Sequence, residues 1–311
     1  MHHVTVPSIF ALHRDSSNIT MRVIALLVQG LSAAAALKVT VCGGSGFVGS
    51  RVCKGLVEAG GNEVTAVSKS GKPPAWAAKE EWVSKVNWVA NDLTRGSRAS
   101  LEAAIGQPEA LVSCVGGVGF DRQALILANG KANTEVATVA EKLDNLKSVV
   151  YVSVSDEVDD AAAWLTGRSL RSNSWRWGEG YFEGKKQAEA AFSALGAATT
   201  CFVKPSFIYG GDSFELFPPR VNDGYGSAVE EILSNGIVQK IADVMPGLIK
   251  VALRPPVSVD AVAGAVVSAT LGGVTDSKLD GTFAINKAAD RPAATGLSDA
   301  IAGLKAKVAS D

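Results

Sequence analysis

Histidine is almost missing from this 311-residue chain: the three that occur (His2, His3, His13) all lie in its first thirteen residues. No histidine-dependent triad and no metal centre is therefore expected in the rest of it. Cysteine is scarce as well. Cys42, Cys53, Cys114 and Cys201 are scattered, with no pair at zinc-ligand or redox spacing, and read as small apolar core residues. Charge of one sign is lacking too. The net charge is −1 with no long basic run, so there is no electrostatic footprint for nucleic acid. The apolar run at 23–28 is too short to cross a bilayer, which excludes a transmembrane span there. What remains, 47% hydrophobic and 20% charged residues, is the composition of a globular chain with room for one large α/β domain and a smaller lobe.

The densest information lies in residues 38–60. A short apolar run (Val39, Val41) breaks into Gly43, Gly46 and Gly49 at G-x-x-G-x-x-G spacing, and an amphipathic run follows from Phe47. Strand, tight turn and helix in that order let a diphosphate rest on bare backbone N–H groups at a helix N-terminus, where the peptide dipoles favour negative charge. Gly43 would make the turn, Gly46 would admit the phosphates, and Gly49 would let helix and strand pack closely. The backbone of Gly46, Phe47, Val48 and Gly49 is thus the expected cradle of a dinucleotide.

Downstream, Glu63–Val67, Val86–Ala90, Ala110–Val115, Ser148–Val154 and Thr199–Lys204 read as strands two to six. Helical patterns separate them, notably Gln123–Leu143 and Tyr181–Leu195. Nearly all-apolar strands alternating with helices predict a doubly wound parallel sheet of Rossmann type. After Pro205 the pattern loosens among prolines and glycines, as a small C-terminal substrate lobe would. The expected organisation is a targeting segment at 1–36, a nucleotide-binding core at 37–204 and a lobe at 205–311. Residues 1–36 hold Arg14, Arg22 and a single acid, Asp15, and end in alanines. That composition leans towards an organelle, the mitochondrion first and the plastid as the alternative.

The residue after strand two selects the dinucleotide. An acid there binds the adenosine ribose and favours NAD. Here Ser68 is followed by Lys69, so NADP(H) is expected over NAD. Asp92, after strand three, is placed to meet the adenine edge. Tyr181 and Lys185 stand four apart, on one face of a helix. An ammonium near a phenol lowers the phenol's pKa and readies it to exchange a proton with a substrate hydroxyl or carbonyl.

In this order the motifs resemble the short-chain dehydrogenase/reductase superfamily, in its extended and atypical branches. The resemblance covers about Lys38 to Lys287. Besides the glycine turn and Asp92 it rests on Gly116-Gly117, Asn129, Tyr181, Lys185, Glu189, the Lys204-Pro205-Ser206-Phe207-Ile208-Tyr209-Gly210 segment and Pro256-Val257-Ser258-Val259-Asp260. It implies cofactor contacts at Gly116, Lys185 and Pro205. It is nearest the group that contains the Rossmann-type accessory subunit of complex I, a ubiquinone-synthesis factor and plastoglobule-associated proteins. One departure bears on mechanism: Val154 occupies the family's catalytic serine position, flanked by Ser153 and Ser155, either of which would have to replace it.

Two functions follow from the resemblance. One is an oxidoreductase acting on a hydrophobic or quinone-related metabolite. The other is a non-catalytic nucleotide-binding accessory or assembly factor of an organellar membrane complex, with peripheral membrane association. A nucleotide-sugar epimerase or dehydratase is a third, weaker expectation. Two further stretches admit a functional or a packing role: the tryptophan- and arginine-rich segment (Trp164, Arg168, Arg171, Trp175, Arg176, Trp177), and Phe214, Phe217, Pro218 and Pro219.

Overall fold

The computed structural model describes residues 37–167, 177–196, 198–211, 215–216, 219–245 and 247–290. The targeting-like stretch 1–36, most of the tryptophan- and arginine-rich segment, and Phe214, Phe217 and Pro218 lie outside the described residues.

Valine-rich runs form the sheet because β-branched side chains fit a pleated surface covered on both faces. In chain order the strands are β1 (Lys38–Cys42), β2 (Glu63–Ser68), β3 (Val86–Ala90), β4 (Ala110–Ser113), β5 (Ser148–Val152) and β6 (Thr199–Lys204). A late strand, Lys278–Asp280, lies parallel to β6 with Leu279 opposite Val203, so the C-terminal stretch supplies one edge of the sheet. The seven strands run Lys278–Asp280, β6, β5, β4, β1, β2, β3. Pairing is parallel throughout this sheet. The winding reverses between β4 and β1, and such a switch point opens a crevice at the carboxyl ends of the strands.

Side chains alternate across the sheet. Val150 and Val152 point into one core with Val41, Leu56, Val262 and Val266. Val149 and Tyr151 point into the other, with Leu111, Val136 and Phe192. The first core is closed by helix α1 (Gly49–Glu58) and by the late helix Val259–Thr270, which touch each other and the sheet. A small lobe is pinned to this body through Glu230, which accepts from Tyr209 Oη at 2.5 Å and from Asn286 Nδ2 at 2.6 Å.

Strands three and six match their predicted bounds. β4 and β5 stop two residues early because the chain leaves the sheet although Val115 and Val154 are still apolar. The single helix predicted over Gln123–Leu143 is broken into Arg122–Ile126, a π turn Leu127–Lys131, and Ala132–Ala140. The helix carrying Tyr181, here α2, begins earlier, at Trp177, and runs to Ser193.

Candidate functional site

The glycine turn has the geometry a diphosphate needs. Gly43 adopts φ +82°, and its N–H bonds to Val67 O at 2.8 Å, tying the turn to β2. A Cβ on Gly46 would lie 3.0 Å from Gly43 O, and one on Gly49 would overlap that same oxygen. The backbone therefore passes where side chains would otherwise fill the cradle. No side chain caps the N-terminus of α1, and no acid sits in its first turn. The Ser50 and Arg51 N–H groups bond to Gly46 O and Val48 O, both at 3.0 Å, so what the turn offers an anion is the helix dipole and the amides of Val48 and Gly49. A cleft of about 560 Å³ opens beside the turn, lined among others by Ser45, Gly46, Phe47, Arg51, Trp76 and Gly211. These residues fit a nicotinamide dinucleotide.

The β2 end carries the two residues expected on the adenosine side, Lys69 and Asp92. Lys69 is already paired with Asp92 at 3.3 Å, so it brings a carboxylate into the place where a 2′-phosphate would seek a cation. Asp92 also accepts from Thr94 Oγ1 at 2.6 Å and Thr94 N at 3.1 Å, and that hydroxyl, ahead of Lys69, holds its carboxyl below the usual range. Ser68 is buried and used within the turn: its hydroxyl lies 2.7 Å from Ser45 Oγ and accepts from Gly71 N at 3.1 Å.

At the other end, Gly116, Asn129, Lys185 and Tyr181 come together. Lys185 is 6% exposed and donates to Val152 O at 2.9 Å. Its Nζ lies 4.9 Å from the Tyr151 ring centroid and 5.8 Å from that of Tyr181. A Cβ on Gly116 would sit 2.8 Å from Asn129 Oδ1 and 3.4 Å from Lys185 Nζ, so only glycine leaves the ammonium accessible along that path. Asn129, fully buried in the π turn, accepts from Gly117 N at 3.2 Å and donates to Gly117 O at 2.9 Å. It fixes the loop after β4 in front of the lysine. Short π segments recur at functional sites because they redirect one side chain. Burial governs the titrations here. It pushes the Tyr181 phenol up to about 12, against the lowering expected from a neighbouring ammonium, and brings Lys185 down to about 8. Desolvation by burial is what sets the direction of both shifts.

The two serines flanking Val154 are engaged elsewhere. Ser153 donates its hydroxyl to Glu189, whose carboxylate is also held by Lys204 at 2.8 Å. Lys204 continues to Asp156 at 2.5 Å, and Asp156 to Lys278 at 2.7 Å. Ser155 is buried, bonded through its N–H to Pro205 O at 2.9 Å and through its side chain to Asp280. Val154 is itself buried. Burial also pushes the Cys42 and Cys114 thiols up to about 12, which keeps both in the unreactive protonated form.

Sequence reasoning passed over Asn133 and Arg51, and gave Gly184, part of the Gly180-Tyr181-Phe182-x-Gly184-Lys185 helix start, no packing role. Asn133 accepts from Ser113 Oγ at 2.6 Å and donates to Val115 O at 3.2 Å, steadying the same loop. Gly184 lets α2 meet the π turn, since a Cβ there would lie 2.8 Å from Gly130 N. The paired glycines Gly130 and Gly184 were the available signal.

Comparison with known proteins places residues 39–233 within a family model described as the NAD dependent epimerase/dehydratase family. An uncharacterized chloroplastic protein of Arabidopsis thaliana is 30% identical over 259 residues, spanning 80% of this chain and 75% of that protein. Among solved structures, the Bordetella bronchiseptica enzyme WbmF in complex with NAD+ superposes with a TM-score of 0.52 at 17% identity, over 90% of this chain and 96% of that one. Vestitone reductase from alfalfa superposes with a TM-score of 0.50 at 18% identity, over 79% and 76%. The family's NAD dependence overturns the expectation of NADP(H). None of these relatives is described as a respiratory-complex subunit or a ubiquinone-synthesis factor.

Proposed function

This chain belongs to the NAD dependent epimerase/dehydratase family, and from that premise we propose that it binds NAD(H) across the switch-point crevice and interconverts a hydroxyl and a carbonyl on a small-molecule substrate. The observation that carries the proposal is the buried Lys185, which donates to Val152 O and holds its ammonium 5.8 Å from the Tyr181 ring centroid. When bound, NAD supplies the hydride acceptor or, reduced, its donor. The cradle of Gly46, Phe47, Val48 and Gly49 would hold the diphosphate, Lys69 and Asp92 would flank the adenosine end, and Gly116, Lys185 and Pro205 would surround the nicotinamide end. Tyr181 carries the proton. In the reductive direction its phenol, kept protonated by burial, gives a proton to the substrate oxygen. In the oxidative direction its phenolate takes the hydroxyl proton as the carbon–hydrogen bond breaks. Lys185 orients the ribose and places positive charge near the phenolate.

A second reading is favoured by a specific observation. With Val154 in the serine position and Ser153 donating to Glu189, the polarising hydroxyl of the family mechanism is diverted. The bound nucleotide would then act as a structural ligand, stabilising the fold by its affinity alone. A quinone-related substrate and a role in a membrane complex rest on the sequence resemblance alone. A plastid setting is supported by the chloroplastic relative, and the mitochondrion rests on the composition of residues 1–36 alone. Tyr181→Phe separates the two readings. Retained NADH binding with loss of dehydrogenase turnover over a panel of alcohols and carbonyls supports catalysis. Wild-type protein that binds NADH but turns over nothing in that panel supports the structural role.

A further inference from the structure

The first turn of α1 contains a cation where the peptide dipoles disfavour one. Arg51 is the third residue of that helix, and the turn holds no acid to compensate. Its guanidinium is nevertheless held firmly. Nη1 donates to Phe47 O at 2.9 Å, and the guanidinium carbon lies 4.9 Å from the Phe47 ring centroid and 4.9 Å from that of Trp76. Nε is 3.2 Å from Asp260 Oδ1; the Arg51 side chain is 15% exposed and that of Asp260 74%. Gly211 passes close by with φ +81°, where a Cβ would lie 3.7 Å from Arg51 Nη2. All of these residues line the cleft that Gly46 opens into.

A desolvated guanidinium sandwiched by two rings is costly to build at a helix N-terminus unless an anion arrives there. Its Phe47 bond folds it back towards the amides expected to receive the diphosphate. Its carboxylate partner Asp260 is 74% exposed and belongs to a different part of the chain, which makes that partner the replaceable one. We propose that Arg51 is a further cofactor-binding residue, pairing its guanidinium with the dinucleotide's diphosphate, and that Asp260 is the counter-ion that poises Arg51 before binding and competes with the phosphates afterwards. The inference rests on the NAD-binding reading above and adds a charge switch to it: Arg51 exchanges one carboxylate for a doubly charged anion.

The test is a fluorescence titration of NADH against the wild-type protein, Arg51→Gln, Arg51→Lys and Asp260→Asn, at low and at moderate salt. Loss of a charged hydrogen bond predicts a roughly ten- to hundredfold weaker affinity in Arg51→Gln, with partial recovery in Arg51→Lys and a shallower salt dependence in Arg51→Gln. Asp260→Asn, at an exposed position that leaves folding intact, is predicted to bind NADH more tightly. Equal affinity of Arg51→Gln and wild type overturns the inference, as does an Asp260→Asn variant that binds no more tightly than wild type. Should Arg51→Gln fail to fold, Asp260→Asn decides alone. If the wild type itself binds no NADH, it is the NAD-binding reading that falls; if the wild type binds and the variants match it, only the role of Arg51 falls.

Discussion

Replacing Lys185 by methionine exchanges a buried ammonium for an apolar chain of similar length. Burial lowers the lysine's pKa from 10.5 to about 8, a shift that corresponds to about 3 kcal/mol of penalty on the charged form. Below about pH 8 the folded and unfolded chains both carry the charge, and the native state bears that penalty in full. Between about 8 and 10.5 the unfolded chain still binds the proton while the native state releases it, so this group's contribution makes the protein more stable as pH rises. Methionine removes the penalty but forfeits the 2.9 Å bond to Val152 O, a loss of about 1 kcal/mol. The ligand-free variant is therefore expected to be more stable than wild type at pH 7 by on the order of 2 kcal/mol. The advantage should shrink across the window and reverse by about pH 10, where the remaining penalty falls below the value of the lost bond. Urea unfolding at pH 7 and pH 10.5, in the absence of nucleotide, measures both values, and NADH affinity should fall in the same variant. A Lys185→Met protein less stable than wild type at pH 7, or a difference that does not change with pH, would refute the claim that this lysine is retained for its ligand at the expense of the fold.

Two further variants probe the turn and the diverted serine. Ser153→Ala deletes the donor to Glu189 but leaves Lys204 on that carboxylate; it should cost about 1 kcal/mol of stability and leave turnover unchanged, whereas a large loss of kcat would return Ser153 to the reaction. Gly49→Ala forces a methyl into the Gly43 carbonyl; it should destabilise the protein by roughly 1–3 kcal/mol and abolish NADH binding, and a variant with wild-type melting and affinity would contradict the close approach of helix to turn.

The fold was legible wherever local rules act alone. The glycine turn, the valine-rich strands and their alternation with helices are set by backbone conformation and by burial on both sheet faces, and both are written in adjacent residues. What escaped depended on partners distant in sequence. The late strand Lys278–Asp280 is short and has little apolar pattern of its own; it exists because β6 offers it an edge. The π turn at Leu127–Lys131 lies where Gly184 of α2 meets Gly130, a contact between residues far apart in sequence. At the site, Tyr181 and Lys185 were legible from their spacing, but the direction of the phenol's shift was not, because burial decides it. The expectation of NADP(H) was overturned by the family's NAD dependence. The lysine after β2 was a weak guide to the dinucleotide, and in the fold it is paired with Asp92, twenty-three residues on.

The most direct measurement is a crystal structure of the wild-type protein grown with saturating NAD+. Continuous density for the dinucleotide is predicted, with its diphosphate against the main-chain amides that open α1 and its nicotinamide ribose beside Lys185. A structure in which the crevice stays empty, or in which side chains close over Gly46, would contradict the claim that this turn exists to hold a diphosphate.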